Sequence, residues 1–153
     1  MTDIVSKEKR SDMMANIKSK NTCPELRIRK ALFKKGFRYR LHAKKMAGKP
    51  DIVLRRYKAV IFVNGCFWHG HEGCNLYRPP KTRTEFWVSK IEKNKARDVV
   101  NKLKLENDGW RCLIVWECTL KGRSKLEFES LINDISDWIL GFRKSSQIRG
   151  IEQ

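Results

Sequence analysis

Apolar residues along this chain recur with two different periods, and the switches between them mark its elements. Thr22-Cys23-Pro24-Glu25 reads as a helix start, with a capping hydroxyl, proline in the first turn and Glu three residues after Thr. Leu26, Ile28, Ala31, Leu32 and Phe33 continue that helix to a stop at Gly36. Phe37 to Leu41 alternates apolar and polar, as a half-buried strand does. Ile52-Val53-Leu54 and Ala59 to Val63 are short β-branched runs separated by a turn at Tyr57-Lys58, so they predict an antiparallel hairpin. Asp51 begins one of these strands and Val63-Asn64 ends the other, which puts them at one end of the sheet.

A second half follows the same logic. Thr84 opens a long helix with apolar positions at Trp87, Ile91, Val99 and Leu103 and a stop at Gly109. Trp110 to Glu117 predicts a last central strand. Residues 125–140, with Leu131, Ile132, Ile135, Trp138 and Ile139, predict an amphipathic covering helix. The basic tail from Arg143 is expected to be loose. The order α–β–β–β–α–β–α implies an α/β fold: a mixed central sheet flanked by helices. At 153 residues it is most simply one domain over residues 21–142, with an N-terminal arm (1–20) and a C-terminal tail (143–153).

Composition narrows the function. A formal net charge of +17, spread through every segment with five Trp and seven Phe interleaved, is the footprint of a folded nucleic-acid binder or of a non-specific basic protein. No apolar run approaches the roughly 18 residues of a membrane span and the start lacks a signal-peptide apolar region, so a soluble cytoplasmic protein is expected. Within the arm, Met13, Met14 and Ile17 share one side of a helical reading. They could pack on the core or contact a ligand.

The stretch from Ala59 to Cys74 carries the chemistry. After its strand it breaks at Asn64-Gly65 and sets Cys66, His69, His71 and Cys74 within nine positions, with Phe67 and Trp68 between them. Zinc wants four such ligands, and Cys118, at the end of the strand after Cys112, is the best fourth. Cys66, His71, Cys74 and Cys118 then form a closed structural site and leave His69 free for chemistry; a cysteine-rich loop without metal is the bland alternative. Near Asp51, that carboxylate and a main-chain carbonyl at Val63 or Asn64 could hold Mg²⁺, and His69 could take a proton from an attacking water. For His69 the competing reading is a satisfied loop residue. Lys90 to Asp98 is a basic helix face, either simply solvated or suited to a phosphate backbone.

These residues together resemble a known family. Gly48-Lys-Pro-Asp51, Phe62-Val-Asn-Gly-Cys-Phe-Trp-His69, Lys81-Thr-Arg-Thr-Glu-Phe-Trp87, Lys90-Ile-Glu-Lys-Asn94, Arg97-Asp98, Gly109-Trp110 and Val115-Trp-Glu-Cys118 resemble the very short patch repair (Vsr) endonucleases, from about Arg10 to Trp138. The resemblance implies a restriction-endonuclease-like core. It implies a strand-specific enzyme, Mg²⁺-dependent, that nicks duplex DNA 5′ of the thymine in T·G mismatches left by 5-methylcytosine deamination. In that light Asp51 and the Val63 carbonyl hold Mg²⁺, His69 is the base, Glu25 supports it by hydrogen bonding, and Asn64 and Asp98 hold metal-bound waters or the base network. Cys66, His71, Cys74 and Cys118 match the structural zinc set. Phe67, Trp68 and Trp87 match aromatics that wedge into the duplex, Met14 and Ile17 match an arm in the minor groove, and Lys90 and Asn94 lie on the expected DNA face. The resemblance also implies a setting: a monomer acting on DNA in the bacterial cytoplasm at the nucleoid, alongside mismatch-repair proteins and a repair polymerase. Two departures stand out. Some relatives have Thr and His where this chain has Val63 and Asn64, and Gly73 lengthens the zinc loop before Cys74. A restriction-type enzyme cutting paired DNA, and a zinc-stapled module that binds distorted DNA without cutting, are the alternatives.

Overall fold

The computed structural model describes residues 22–151. Helix α1 (Cys23–Lys34) is followed by strands β1 (Arg40–Leu41), β2 (Ile52–Leu54) and β3 (Ala59–Asn64). Helix α2 (Thr84–Asn107), β4 (Arg111–Trp116), α3 (Phe128–Leu140) and β5 (Ser146–Ile148) complete the order. The five strands form one mixed sheet in the order β1-β2-β3-β4-β5. Strands β2 and β3 pair antiparallel, as the hairpin reading expects, and β1 adds antiparallel to β2. Strands β3, β4 and β5 pair parallel, because α2 and α3 carry the chain back across the sheet before each next strand.

Strand periodicity divides the core in two. Ile52, Leu54, Ala59, Ile61, Leu113 and Val115 face one side, where Ile28 and Leu32 of α1 and Leu131, Ile135, Trp138 and Ile139 of α3 cover them. Val53, Val60 and Cys112 face the other side, against Leu105 of α2. Thr22 caps α1, its hydroxyl accepting from the Glu25 amide at 3.4 Å. Arg111 ties the sheet to α3: its guanidinium donates to the carbonyls of Trp138 (3.1 Å), Ile139 (3.2 Å), Tyr57 (2.7 Å) and Arg143 (2.9 Å).

Three expectations change. In α2 the buried seam runs through Ile91 and Leu105, while Val99 and Leu103 are 60% and 54% exposed. Steps of four residues drift by about 40° each on a helix of 3.6 residues per turn, so Leu103 lies about 120° from Ile91, whereas Leu105 lies within about 40°. Strand β1 is shorter than the alternation from Phe37 suggests; Phe37 packs into the core and the Tyr39 hydroxyl donates to the Arg29 carbonyl at 2.7 Å. The tail expected to be loose supplies β5, whose residues Ser146, Gln147 and Ile148 lie opposite Leu113, Ile114 and Val115. Its main-chain ladder is reinforced by Trp116 Nε1 donating to Gln147 Oε1 at 2.8 Å. Among the described residues, no helix is long and apolar enough to cross a membrane.

Candidate functional site

The antiparallel hairpin brings the start of β2 and the end of β3 to one edge, and the site is built there. Val63 donates its amide hydrogen to Asp51 Oδ2 at 2.7 Å, so the carboxylate is held against the end of β3 as the hairpin reading requires. Burial pushes the Asp51 carboxyl up to about 6; the Val63 hydrogen bond opposes this, the Glu25 carboxylate adds to it, and His42 and His69 act against it. Asp51 lines a cleft of about 420 Å³ with His42, Lys44, Lys49, Asn64, His69, Asp98 and Lys102 among its walls.

His69 reaches this cleft because a tight loop turns it there. The His69 amide donates to the Gly65 carbonyl (3.2 Å), and the His71 amide donates to the Cys66 carbonyl (2.9 Å). Gly70, at φ +59°, lies so close to α2 that a Cβ would come within 2.6 Å of Ile91 Cγ2. The same helix supplies Asp98, whose Oδ2 lies 2.6 Å from His69 Nδ1. A carboxylate on Nδ1 fixes the ring and leaves Nε2 for a reacting group.

Glu25 sits differently from the expectation. Its carboxylate, in a residue 1% exposed, bonds His42 Nε2 at 2.7 Å and Arg29 Nη1 at 2.9 Å, while the carboxylate on His69 comes from Asp98. The expected hydrogen bond from Glu25 to His69 is therefore replaced by one to His42, because α1 packs Glu25 beside the end of β1 rather than beside the loop after β3. Sequence reasoning passed over His42, which follows the short, exposed β1 and shows no apolar pattern. Ligand atoms of Glu25, His42 and Asp51 all lie within 4.8 Å of one another.

Beyond the cleft lies a groove of about 760 Å³ lined by Phe67, Trp68, Lys90 and Lys121, and it shares Val63, Asn64 and His69 with the cleft. Phe67 and Trp68 of the groove pack against each other and against Trp87, with ring centroids 5.1 to 5.9 Å apart. Lys90 Nζ lies 5.6 Å from the Trp68 ring centre and 5.7 Å from that of Trp87. Asn94, expected on the DNA face, turns its side chain inward and donates to the Trp68 carbonyl at 3.0 Å. Met14 and Ile17, with the rest of the N-terminal arm, lie outside the described residues.

The four expected zinc ligands do converge. Ligand atoms of Cys66, His71, Cys74 and Cys118 lie within 4.8 Å of one another, and His71 Nδ1 is 3.5 Å from Cys66 Sγ and 3.6 Å from Cys118 Sγ. A tetrahedral ion bound at about 2.3 Å to sulfur and about 2.0 Å to nitrogen needs a nitrogen-to-sulfur edge of about 3.5 Å, so the group could hold a metal ion. Burial, and secondarily Arg149, lowers the His71 pKa to about 4, which keeps the imidazole in its neutral, ligating form. Burial pushes the Cys66 and Cys118 thiols up, and each lies near other thiols, so thiolates here need a cation among them. The His71 ring stacks on Trp116 at 3.9 Å and 5°, and Gly150 donates its amide hydrogen to Cys118 Sγ at 3.2 Å. Cys23 is exposed, and Cys112 is buried inside β4.

Comparison with known proteins shows which family the chain falls in. Residues 2–76 match the family model described as DNA mismatch endonuclease Vsr. The chain is 48% identical to the Type II nicking enzyme V.NmeAIP of Neisseria meningitidis over 90% of this chain and 99% of that protein. It is 44% identical to the DNA mismatch endonuclease Vsr of Escherichia coli over 97% of this chain and 94% of that protein. A third relative, the Type II nicking enzyme V.XorIIP of Xanthomonas oryzae, is 46% identical over 83% of this chain and 93% of its own length. The relatives match through the hairpin, the Cys/His loop and α2 alike, and the chain belongs to the Vsr family of DNA mismatch endonucleases.

Proposed function

We propose that this protein is a mismatch endonuclease that nicks one strand of duplex DNA on the 5′ side of the thymine in a T·G pair. The observation that carries this reading is the shared wall of cleft and groove: Val63, Asn64 and His69 border both the Asp51 cleft and the aromatic groove. A phosphodiester in the cleft then lies next to a base step in contact with Phe67, Trp68 and Trp87. Apolar wedges unstack a step at a cost of a few kcal/mol, and a mispaired step yields most readily, so damage is selected partly by its deformability.

Within the cleft, His69 Nε2 accepts a proton from the attacking water while Asp98 holds Nδ1. Asp51, with the Val63 carbonyl, is the seat for Mg²⁺; its Oδ2 takes the Val63 amide and its buried carboxylate gains from a neighbouring cation. Bound there, Mg²⁺ supplies Lewis-acid polarisation of the phosphate oxygens. Asn64, 6% exposed on the cleft wall, orients water by its amide. Zinc in the Cys66, His71, Cys74 and Cys118 set braces the loop that carries His69, with no open position for chemistry. Met14 and Ile17 of the arm enter the minor groove, and Lys90 contacts phosphate. The fold is that of a restriction-endonuclease-like core acting as a monomer at the bacterial nucleoid. Mismatch-repair proteins and a repair polymerase act on the same lesion.

The test is a denaturing gel of a duplex carrying one T·G pair, labelled on both strands, with and without Mg²⁺. One nick in the thymine strand that needs Mg²⁺ is expected. Equal cutting of a T·A control, cutting of both strands, or binding without any product defeats the reading.

A further inference from the structure

Two histidines of the cleft wall, not one, are each held by a carboxylate. His69 with Asp98 stands beyond β3, and His42 with Glu25 stands at the end of β1, so in sheet order they lie on either side of Asp51 at the start of β2. Both residues line the same cleft. His42 is fixed with unusual firmness. Its amide donates to the Asp51 carbonyl at 3.1 Å, and its backbone takes the left-handed conformation at φ +47°, uncommon for a residue with a side chain. The buried Glu25 carboxylate takes Nε2 at 2.7 Å, which leaves Nδ1 as the ring nitrogen for a ligand.

Phosphodiester hydrolysis has two proton transfers, and its attacking and leaving oxygens lie roughly in line on opposite sides of phosphorus. One imidazole serves the attacking side. A repair polymerase extends a 3′-hydroxyl, so the bond to break is the one from phosphorus to O3′. Resting on the nicking reaction proposed above, we infer that His42 is a second catalytic residue, a general acid that Glu25 positions and that hands its Nδ1 proton to the departing O3′. Water gives a proton to His69 Nε2 and its oxygen forms the new bond to phosphorus; the P–O3′ electron pair goes to O3′, which takes the His42 proton. The products are a 5′-phosphate and a 3′-hydroxyl.

A leaving group that needs no proton separates this role from simple packing. A thiol ionises near pH 8.5, far more readily than an alcohol, so a T·G duplex with sulfur in place of the scissile O3′ no longer requires the acid. Single-turnover nicking with Mg²⁺ is compared on the oxygen and sulfur duplexes. The His42→Gln variant should be slowed about 10²-fold or more on oxygen, in the range of general acid catalysis, yet run within about tenfold of the unmodified protein on sulfur. His69→Ala should stay slow on both. Glu25→Gln keeps an acceptor for Nε2 and should show the same sulfur rescue with a smaller loss on oxygen; it carries the test if His42→Gln fails to fold. Equal loss on both duplexes, or no loss on oxygen, overturns the inference. Failure of the unmodified protein to nick the oxygen duplex defeats the nickase reading instead.

Discussion

Asp51 pays for its position in stability. Its carboxyl is raised to about 6, chiefly by burial, from an ordinary value near 3.8. Between those values the folded protein holds a proton that the unfolded chain has released, so stability falls as pH rises through this window and stays lower above it. In metal-free protein Asp51→Asn should therefore raise the melting temperature at pH 8, by the equivalent of about 1 to 3 kcal/mol, and by much less at pH 4. Thermal melts at the two pH values check this, and an unchanged or lowered melting temperature at pH 8 contradicts it. Asp51 and His69 were legible in the sequence because a short hairpin and a glycine-broken loop dictate where such residues go. Their partners left no pattern in the residues themselves, and Asp98 entered the base network only through the family resemblance. Asp98 reaches His69 from 29 positions away, and His42 depends on a backbone angle and on how α1 meets β1, neither of which leaves a pattern in residue types.

Helix α2 and strand β5 show how elements hold the site. Helix α2 presses on the loop at Gly70, bonds the Trp68 carbonyl through Asn94 and supplies Asp98, so a single rigid element sets the loop's position and orients its histidine. Its existence and length were readable from caps and apolar positions; which side is buried was not, since a spacing of four drifts around the helix. Strand β5 was missed because Ser-Gln-Ile has no hydrophobic run, and its stability comes from main-chain pairing with β4. The segment after it closes over the Cys/His group. A Cβ on Gly150 would lie 2.5 Å from the Ser124 carbonyl oxygen and 2.7 Å from that of Cys118, both backbone atoms with little room to move. Gly150→Ala should cost about 1 to 3 kcal/mol by overpacking and speed zinc loss to a chelator. Melting and release to a colorimetric zinc indicator measure the two effects; a variant that melts and releases metal like the unmodified protein shows that this closure is not needed.

For the molecule as a whole, the charge of +17 is the property most readable from composition, and it acts at long range. Binding to duplex DNA should weaken steeply with salt, log K falling by about 0.9 for each phosphate contact per tenfold rise in salt concentration. Lys102→Ala in the cleft wall should reduce that slope by about one while weakening T·G and T·A duplexes alike; an unchanged slope removes Lys102 from the phosphate contacts. Removal of zinc should disorder the loop and its histidine rather than adjust them, since structural zinc is worth roughly 10–16 kcal/mol. Loss of nicking on chelation, recovered by zinc together with Mg²⁺ but not by Mg²⁺ alone, is the expected result. The most direct test of the central claim, that a carboxylate at the hairpin edge and an imidazole from the next loop act on one phosphodiester, compares binding and single-turnover nicking of a T·G duplex for Asp51→Asn and His69→Ala. Both variants should bind within about threefold of the unmodified protein and leave the thymine strand intact, a rate loss of at least about 10²-fold. Nicking by either variant near the unmodified rate would contradict it.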